Sequence, residues 1–146
     1  MQKSRFAVAA AFTGLLAASL IPVAARADTL TFHAMLNAAT EVPPKASPGT
    51  GMLEATLDTA TKKLTYTITY SGLTGPATMA HFHGPALAGA NAGVVVPFKN
   101  PASGSSDTVT LTDAQIADLE AGKWYTNVHT AANPGGEIRG QVMEMK

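Results

Sequence analysis

The segment Lys63-Leu64-Thr65-Tyr66-Thr67-Ile68-Thr69-Tyr70 places a large apolar side chain at every second position, with threonines between them. Successive side chains of a β-strand point to opposite faces of the sheet, so this alternation predicts a strand with one buried face and one polar face. Threonine and tyrosine are also frequent in strands. The segment therefore predicts a sheet with one face on the core, which is typical of antiparallel proteins.

Similar short runs lie on both sides of this segment, and turn signals separate them, such as Gly84-Pro85, Asn100-Pro101 and Asn133-Pro134-Gly135-Gly136. The runs predict further strands at 29–37, 50–57, 77–83, 93–98, 107–111, 124–130 and 137–144. Seven or eight short strands with turns at this spacing are typical of an antiparallel β-sandwich or a Greek-key barrel. We therefore expect an all-β fold.

One short helix is expected to interrupt the strands at about 112–121. Thr112 and Gln115 have the spacing of a capping box, in which each side chain binds the backbone N–H of the other residue. Ile116 and Leu119 form an apolar stripe, and Gly122 is placed to end the helix.

The first 27 residues have the pattern of a cleaved export signal. Lys3 and Arg5 precede an apolar run at 6–21, and Ala25-Arg26-Ala27 has small residues at the two positions that a signal peptidase reads. The run is short for a membrane span. We expect residues 28–146 to remain as a single periplasmic or secreted domain, without membrane contact after cleavage.

Charge and cysteine content exclude several functions. The chain has ten basic and ten acidic residues, and three of the basic ones lie in the expected signal, which leaves seven against ten. This mildly acidic balance argues against a nucleic-acid partner. The chain has no cysteine, which excludes disulfides and metal sites built on thiolates. Histidine and carboxylate remain as metal ligands, with methionine as a minor option.

Three of the four histidines fall in two predicted strands. In Met79-Ala80-His81-Phe82-His83, the two histidines share a face, roughly 6.5–7 Å apart along the strand. In Tyr125-Thr126-Asn127-Val128-His129, the histidine shares its face with Tyr125 and Asn127. If these strands are neighbours, His129 completes a three-histidine site, with Tyr125 or Asn127 orienting the imidazoles. Imidazole is a suitable ligand for copper, zinc, iron and nickel.

Other interpretations of these residues stay open. The histidines are equally compatible with the polar, solvent-facing side of a sheet. His33 on the first strand is kept either as a fourth candidate ligand or as a surface residue. Glu137 and Arg139 share a predicted strand face, which favours a structural salt bridge, and Glu41 is a further candidate partner for Arg139. No hydrolase motif or phosphate loop is present, so no catalytic residue is assigned and enzyme activity is left open.

Four segments, in order, resemble the CHRD family, which is named after chordin: Phe32 to Leu36 with Glu41-Val42-Pro43-Pro44, Ala80-His81-Phe82-His83-Gly84-Pro85, Tyr125-Thr126-Asn127-Val128-His129-Thr130, and Pro134-Gly135-Gly136-Glu137-Ile138-Arg139-Gly140-Gln141. The resemblance covers residues 29–143. It implies a β-sandwich in an extracytoplasmic protein, and it places the family's His-x-His-Gly and Asn-x-His-Thr positions on His81, His83 and His129. His33 has no counterpart in that pattern.

The function expected from these observations is an exported metal-binding protein, with copper favoured and zinc as the alternative ion, acting in copper binding, buffering, delivery or redox chemistry. The rival from another class is a metal-free module that binds a protein partner, as the resemblance to chordin implies. A third hypothesis is a copper enzyme like superoxide dismutase, since a His-x-His strand on an antiparallel barrel looks like the copper site of those proteins. The oligomeric state is left open.

Overall fold

The computed structural model describes residues 28–146. This part of the chain forms a short 3-10 turn (Ala38–Thr40), one helix, α1 (Asp113–Glu120), and nine strands: β1 (Thr29–Asn37), β2 (Thr50–Asp58), β3 (Lys63–Ser71), β4 (Ala77–His83), β5 (Val94–Pro97), β6 (Ser105–Thr110), β7 (Tyr125–Thr130), β8 (Ile138–Gln141) and β9 (Met143–Glu144). The expected export signal, residues 1–27, lies outside the described residues. Among residues 28–146, no helix has the length and hydropathy that crossing a bilayer requires.

The strands form one antiparallel sheet in the order β5-β4-β7-β8-β1-β2-β3-β6, with β9 added against β1. The sheet curls into half a barrel, so that one of its faces encloses the core. The expected all-β antiparallel class is confirmed. β4 and β7 are direct neighbours, which is the arrangement that the three-histidine hypothesis requires.

The core is built from every second residue of the long strands. Leu64, Tyr66 and Ile68 of β3 are buried, as the alternation predicts, while the threonines between them are exposed or half-buried. Phe82 of β4 packs edge-on against Tyr66, with ring centroids 5.1 Å apart, and it also contacts Trp124. Phe82 lies between His81 and His83 in the sequence, and its side chain is fully buried. The core therefore holds this part of β4 in place.

The helix forms as predicted. Thr112 is the residue that caps its N-terminus, and both hydrogen bonds of the capping box are present: Gln115 N–H donates to Thr112 Oγ1 (3.2 Å), and Thr112 N–H donates to Gln115 Oε1 (2.9 Å). Gly122 follows with φ of +67°, a left-handed conformation that glycine adopts without strain.

The strand expected at 137–144 is two strands in the structure, interrupted at Val142. The N–H of Val142 donates to the carbonyl oxygen of Trp124 (2.9 Å), and its side chain is fully buried. β8 runs beside β7, whereas β9 pairs with β1 at Phe32 and His33. Sequence alternation alone does not reveal this break, because Val142 continues the apolar pattern.

β7 is buried at all six of its residues. One face belongs to the core, and the other is covered by loop residues that bond to it from three directions: Glu41, Ala92 and Pro134. Polar groups enclosed in this way must be satisfied inside the protein. This covered face of β7 and the adjoining face of β4 carry the candidate site.

Candidate metal centre

His81, His83 and His129 lie together on the covered face. In the β4–β7 register, His81 is opposite Asn127 and Met79 is opposite His129. One ring nitrogen of each of the three histidines lies within 4.8 Å of the other two. The closest pair, Nδ1 of His81 and Nε2 of His129, is 3.1 Å apart. The structure thus brings together the three residues that the strand pattern proposes as ligands.

The three imidazoles are shielded to different extents. His83 is 8% exposed and His129 is 6% exposed. His81 is half-buried, and Met79, two residues before it on the same face, is 46% exposed. The interpretation of these histidines as solvent-facing residues therefore does not fit His83 and His129. The cluster is open to solvent on the side of His81.

Burial favours the neutral form of His81 and His83. It is the main cause that lowers the pKa of His81 to about 4, and the charges of His129 and His83 lower it further. Burial also lowers the pKa of His83, although hydrogen bonds with Ala92 and Asn127 act in the opposite direction. Neutral imidazole is the form that binds a metal ion.

Backbone carbonyls orient two of the rings. Nδ1 of His83 lies 3.1 Å from the carbonyl oxygen of Ala92, and Nδ1 of His129 lies 2.9 Å from that of Pro134. A carbonyl oxygen only accepts hydrogen bonds, so in both rings Nδ1 is the protonated nitrogen that donates. In the form that binds a metal ion, a ring held in this way presents the lone pair of Nε2 to the centre of the cluster. Metal-binding histidines are commonly held in this way.

Asn127 lies at the centre of the polar network. Its Oδ1 atom is 3.0 Å from Nε2 of His83 and 2.8 Å from Nε2 of His129. Its Nδ2 donates to Oε1 of Glu41 (3.2 Å), and Oε2 of Glu41 accepts from the N–H of Val42 (3.2 Å). Glu41 is only 3% exposed. A buried carboxylate is therefore linked to the histidines through a single amide.

A stack of planar groups supports His83. The ring of Tyr125 lies parallel to the His83 ring, at 2° and 4.7 Å. The guanidinium carbon of Arg139 lies 3.4 Å from the centre of the Tyr125 ring. Arg139 also donates to Oδ1 of Asn91 (2.9 Å) and to the carbonyl oxygen of Ala90 (2.6 Å). The stack restricts the plane of the His83 imidazole and joins it to the 90–92 loop.

The predicted salt bridge between Glu137 and Arg139 is wrong. Within residues 28–146, Arg139 has no carboxylate oxygen within 4.0 Å. The carboxylate of Glu137 instead accepts hydrogen bonds from the hydroxyls of Ser47 (2.5 Å), Thr74 (2.7 Å) and Thr130 (2.6 Å) and from the N–H of Thr74 (2.8 Å). The prediction failed because β8 begins only at residue 138, so the alternation of a strand does not extend to Glu137.

The suggested pairing of Glu41 with Arg139 is also wrong. Both residues line the same cavity of 390 Å³. Glu41 accepts a hydrogen bond from Asn127, however, and Arg139 donates to the carbonyl oxygen of Ala90 and to the side chain of Asn91.

His33 does not join the other three histidines. It lies on β1, opposite Glu54 of β2 and Met143 of β9, and its Nδ1 atom is buried without a hydrogen-bond partner. β8 lies between β1 and β7 in the sheet. Among the described residues, the group of converging ligand atoms contains His81, His83 and His129 without His33.

Sequence reasoning missed the role of Glu41. A local signal for it exists at Gly136, whose φ is +121°. A Cβ atom at this position would overlap Oε1 of Glu41 and would lie 2.7 Å from Nδ2 of Asn127. The second glycine of Gly135-Gly136 is therefore required by both backbone conformation and space. Gly136 lies two residues before β8, and a glycine at the end of a strand is one sign that another group approaches the backbone closely.

The comparisons with known proteins identify the family. Neither the curated proteins nor the solved structures give a match. The family model described as the CHRD domain matches residues 32–142, a range that includes Glu41, the three clustered histidines and the strands that carry them. The resemblance inferred from the motifs is confirmed, and the chain belongs to the CHRD domain family.

Proposed function

We propose that this CHRD domain protein binds one metal ion outside the cytoplasm, with copper favoured and zinc as the alternative, through His81, His83 and His129. The observation that supports the proposal is the convergence of three ring nitrogens within 4.8 Å, two of them in rings that backbone carbonyls orient. Three imidazoles form a site that accepts copper or zinc. Among the divalent ions of the first transition row, Cu²⁺ binds nitrogen ligands most tightly, which favours copper.

Membership of the CHRD family supports a location outside the cytoplasm. CHRD domains occur in extracellular proteins, which agrees with the export signal expected at residues 1–27. N-terminal sequencing of the protein recovered from the periplasm or the medium tests this part, and the mature chain is expected to begin at Asp28. A mature chain that retains Met1 would contradict it.

The openness of the site on the side of His81 fits a role in binding, buffering or delivering copper. An ion held by three buried or half-buried imidazoles exchanges with solvent only from that side. Redox chemistry would require a coordination position that remains open to a small molecule.

Removal of one ligand provides the direct test. Metal-free protein is titrated with Cu²⁺, and the stoichiometry is measured together with the electron paramagnetic resonance spectrum. We expect one ion per chain and hyperfine splitting from several imidazole nitrogens. His81→Ala should weaken binding at least about 100-fold, since loss of a group that merely orients a ligand already costs 10–100-fold. His33→Ala is the matched control and should bind like the wild type, because His33 lies outside the cluster.

Other outcomes would contradict the proposal. Stoichiometry far below one for both copper and zinc would leave the metal-free interaction module as the function. Equal affinity of His81→Ala and the wild type would place the ligands elsewhere. Superoxide turnover above that of a matched copper–peptide control would instead support the dismutase-like enzyme.

A further inference from the structure

We infer that the side-chain oxygen of Asn127 is a fourth ligand of the ion, and that the buried carboxylate of Glu41 holds this oxygen in place and balances the charge of the ion. The inference rests on the proposed metal site and defines what the site accepts. Three imidazole nitrogens and one amide oxygen, without sulfur, favour a divalent ion over Cu(I).

Acceptors converge around Oδ1 of Asn127. In the neutral form that binds a metal ion, Nε2 of His83 and Nε2 of His129 present lone pairs, because Nδ1 of each ring donates to a backbone carbonyl. Both nitrogens face Oδ1 of Asn127 at 3.0 and 2.8 Å, and an amide oxygen is also an acceptor. Three acceptors thus converge, and Nδ1 of His81, 3.1 Å from Nε2 of His129, carries one hydrogen at most and cannot satisfy all three. A cation placed among them satisfies all three at once.

The orientation of the Asn127 amide is determined by Glu41. With the observed orientation, Nδ2 of Asn127 donates to Oε1 of Glu41 (3.2 Å). Rotating the amide by half a turn would give the two imidazoles a donor, but it would place Oδ1 against the carboxylate. A carboxylate has no hydrogen to donate to that oxygen, so Glu41 keeps the amide oxygen directed at the histidines.

The negative charge of Glu41 lacks a basic partner among the described residues. Glu41 is 3% exposed, and within residues 28–146 no basic nitrogen lies within 4.0 Å of its carboxylate. Arg139 lines the same cavity but donates to Ala90 and Asn91 instead. A buried carboxylate without a cation is unfavourable. A divalent ion on the other side of the Asn127 amide supplies the missing positive charge.

The donor atoms are spaced closely enough to share one ion. The distances from Asn127 Oδ1 to the two Nε2 atoms, and from His129 Nε2 to His81 Nδ1, are 2.8, 3.0 and 3.1 Å. Ligands bound to one ion at about 2.0–2.1 Å and about 90–100° apart have this separation, as do ordinary hydrogen-bonded pairs, and tetrahedral ligands lie only slightly further apart, at about 3.3 Å. The donors therefore already lie close to the spacing that a tetragonal or a tetrahedral ion requires.

The space for Glu41 is also specific. The only residue type that leaves room for its carboxylate at position 136 is glycine, since a Cβ atom there would overlap Oε1 of Glu41. The carboxylate therefore lies directly against the backbone at Gly136, two residues after the Pro134 carbonyl that orients His129.

The test compares Glu41→Gln with the wild type. We expect the affinity for Cu²⁺ to fall about 10–100-fold, the usual cost of losing a group that orients a metal ligand. The free energy of unfolding of the metal-free protein should not decrease, because the substitution removes a buried charge that lacks a cation. A role of Glu41 in folding alone would give the opposite result, a less stable metal-free protein with unchanged affinity. Glu54→Gln, at an exposed position of β2, is the control for loss of one negative charge.

A double variant tests whether the loss of affinity in Glu41→Gln comes from the lost charge or from damage to the site. Glu41→Gln combined with Asn127→Asp places the carboxylate on the ion and the amide behind it, and it preserves the total charge of the pair. We expect this variant to recover the Cu²⁺ affinity that Glu41→Gln loses, to within about tenfold of the wild type. In the same series, Cu(I) should bind more weakly than Cu²⁺ to the wild type.

The outcomes separate this inference from the proposed function. Wild-type Cu²⁺ affinity and an unchanged resonance spectrum in Glu41→Gln, together with loss of binding in His81→Ala, would overturn the inference and leave the metal site standing. Failure of the double variant to recover affinity would also overturn it. Unchanged binding in both Glu41→Gln and His81→Ala would overturn the metal site as well.

Discussion

Glu41 and Glu137 are both buried carboxylates, but their surroundings differ. Glu137 accepts hydrogen bonds from three hydroxyls and from backbone and amide N–H groups. Glu41 accepts one bond from Asn127 and one from the backbone of Val42. Hydrogen bonds to a charged acceptor are about twice as strong as those between neutral groups. The hydrogen bonds within the protein therefore stabilise the charge of Glu137, whereas the charge of Glu41 has fewer such bonds and is available to balance that of a bound cation.

The pKa of Glu137 follows from these contacts. Burial alone would raise this pKa, but the hydrogen bonds from Ser47, Thr130 and Thr74 outweigh burial and lower it to about 2. Its folded-state pKa thus lies below the value of about 4.3 expected for an unfolded chain. The unfolded chain binds the proton more readily, so the stabilisation by Glu137 is present above about pH 4.3 and is lost as the pH falls towards 2.

Replacement of Glu137 by glutamine is expected to destabilise the protein by about 2–3 kcal/mol at pH 7, because an amide group cannot accept all the bonds that the carboxylate accepts. Urea unfolding at several pH values measures this. The difference between wild type and variant should narrow from pH 5 to pH 3, since the unfolded wild type takes up a proton on Glu137 in this range and the folded protein, with a pKa of about 2, does not. A constant difference over this range would show that the charge of Glu137 has no role.

At the scale of elements, β8 joins the strands that carry the site, β4 and β7, to β1 and the rest of the sheet. The two strands meet at one pair of residues, Asn37 opposite Arg139. Gly140 follows directly, and a Cβ atom there would overlap the backbone carbonyl of Met35. The missing side chain lets β8 lie close to β1 and keeps Arg139 over the ring of Tyr125.

Gly140→Ala is therefore expected to destabilise the protein by about 2–3 kcal/mol, because the added methyl group meets rigid backbone rather than a flexible side chain. Gly75→Ala is the control, since no atom lies within 4 Å of the added Cβ and its φ is not positive. Chemical denaturation of both variants tests the difference. Equal stability of the two would mean that β8 can move away from β1 without cost.

Local patterns predicted the strands well and the covered site only in part. β1 and β4 have the predicted bounds, because alternation and turn residues are properties of neighbouring positions. His81 and His83 were placed together by their spacing of two, whereas His129 joined them only on the assumption that β4 and β7 are adjacent. The cover over β7 was not predictable, because Glu41 reaches Asn127 across 86 positions of the chain. Side-chain contacts at such separations have no periodic signature in the sequence.

At the scale of the whole molecule, the site lies between the rigid sheet and the loops that cover it. The sheet supplies His81, His83 and His129, whereas the loops supply Glu41 and the carbonyls of Ala92 and Pro134. An ion bound at the centre would join β4 to β7, and the hydrogen bonds of its ligands would hold the covering loops against them. Binding is therefore expected to stabilise the fold as well as to occupy the ligands.

Thermal unfolding measures this coupling. A ligand that binds only the folded state at 100 times its Kd adds about 2.7 kcal/mol to the free energy of unfolding, which corresponds to a rise of roughly 10 °C in Tm for a domain of this size. We expect Cu²⁺ to produce such a rise in the wild type and in His33→Ala, and EDTA to reverse it. His81→Ala should show almost no rise in Tm with Cu²⁺, because the variant has lost one of the ligands. Its metal-free fold should be intact, because the hydrogen bonds of His83 and His129 to the loops are kept. A similar rise in His81→Ala would mean that the ion stabilises the protein from another place.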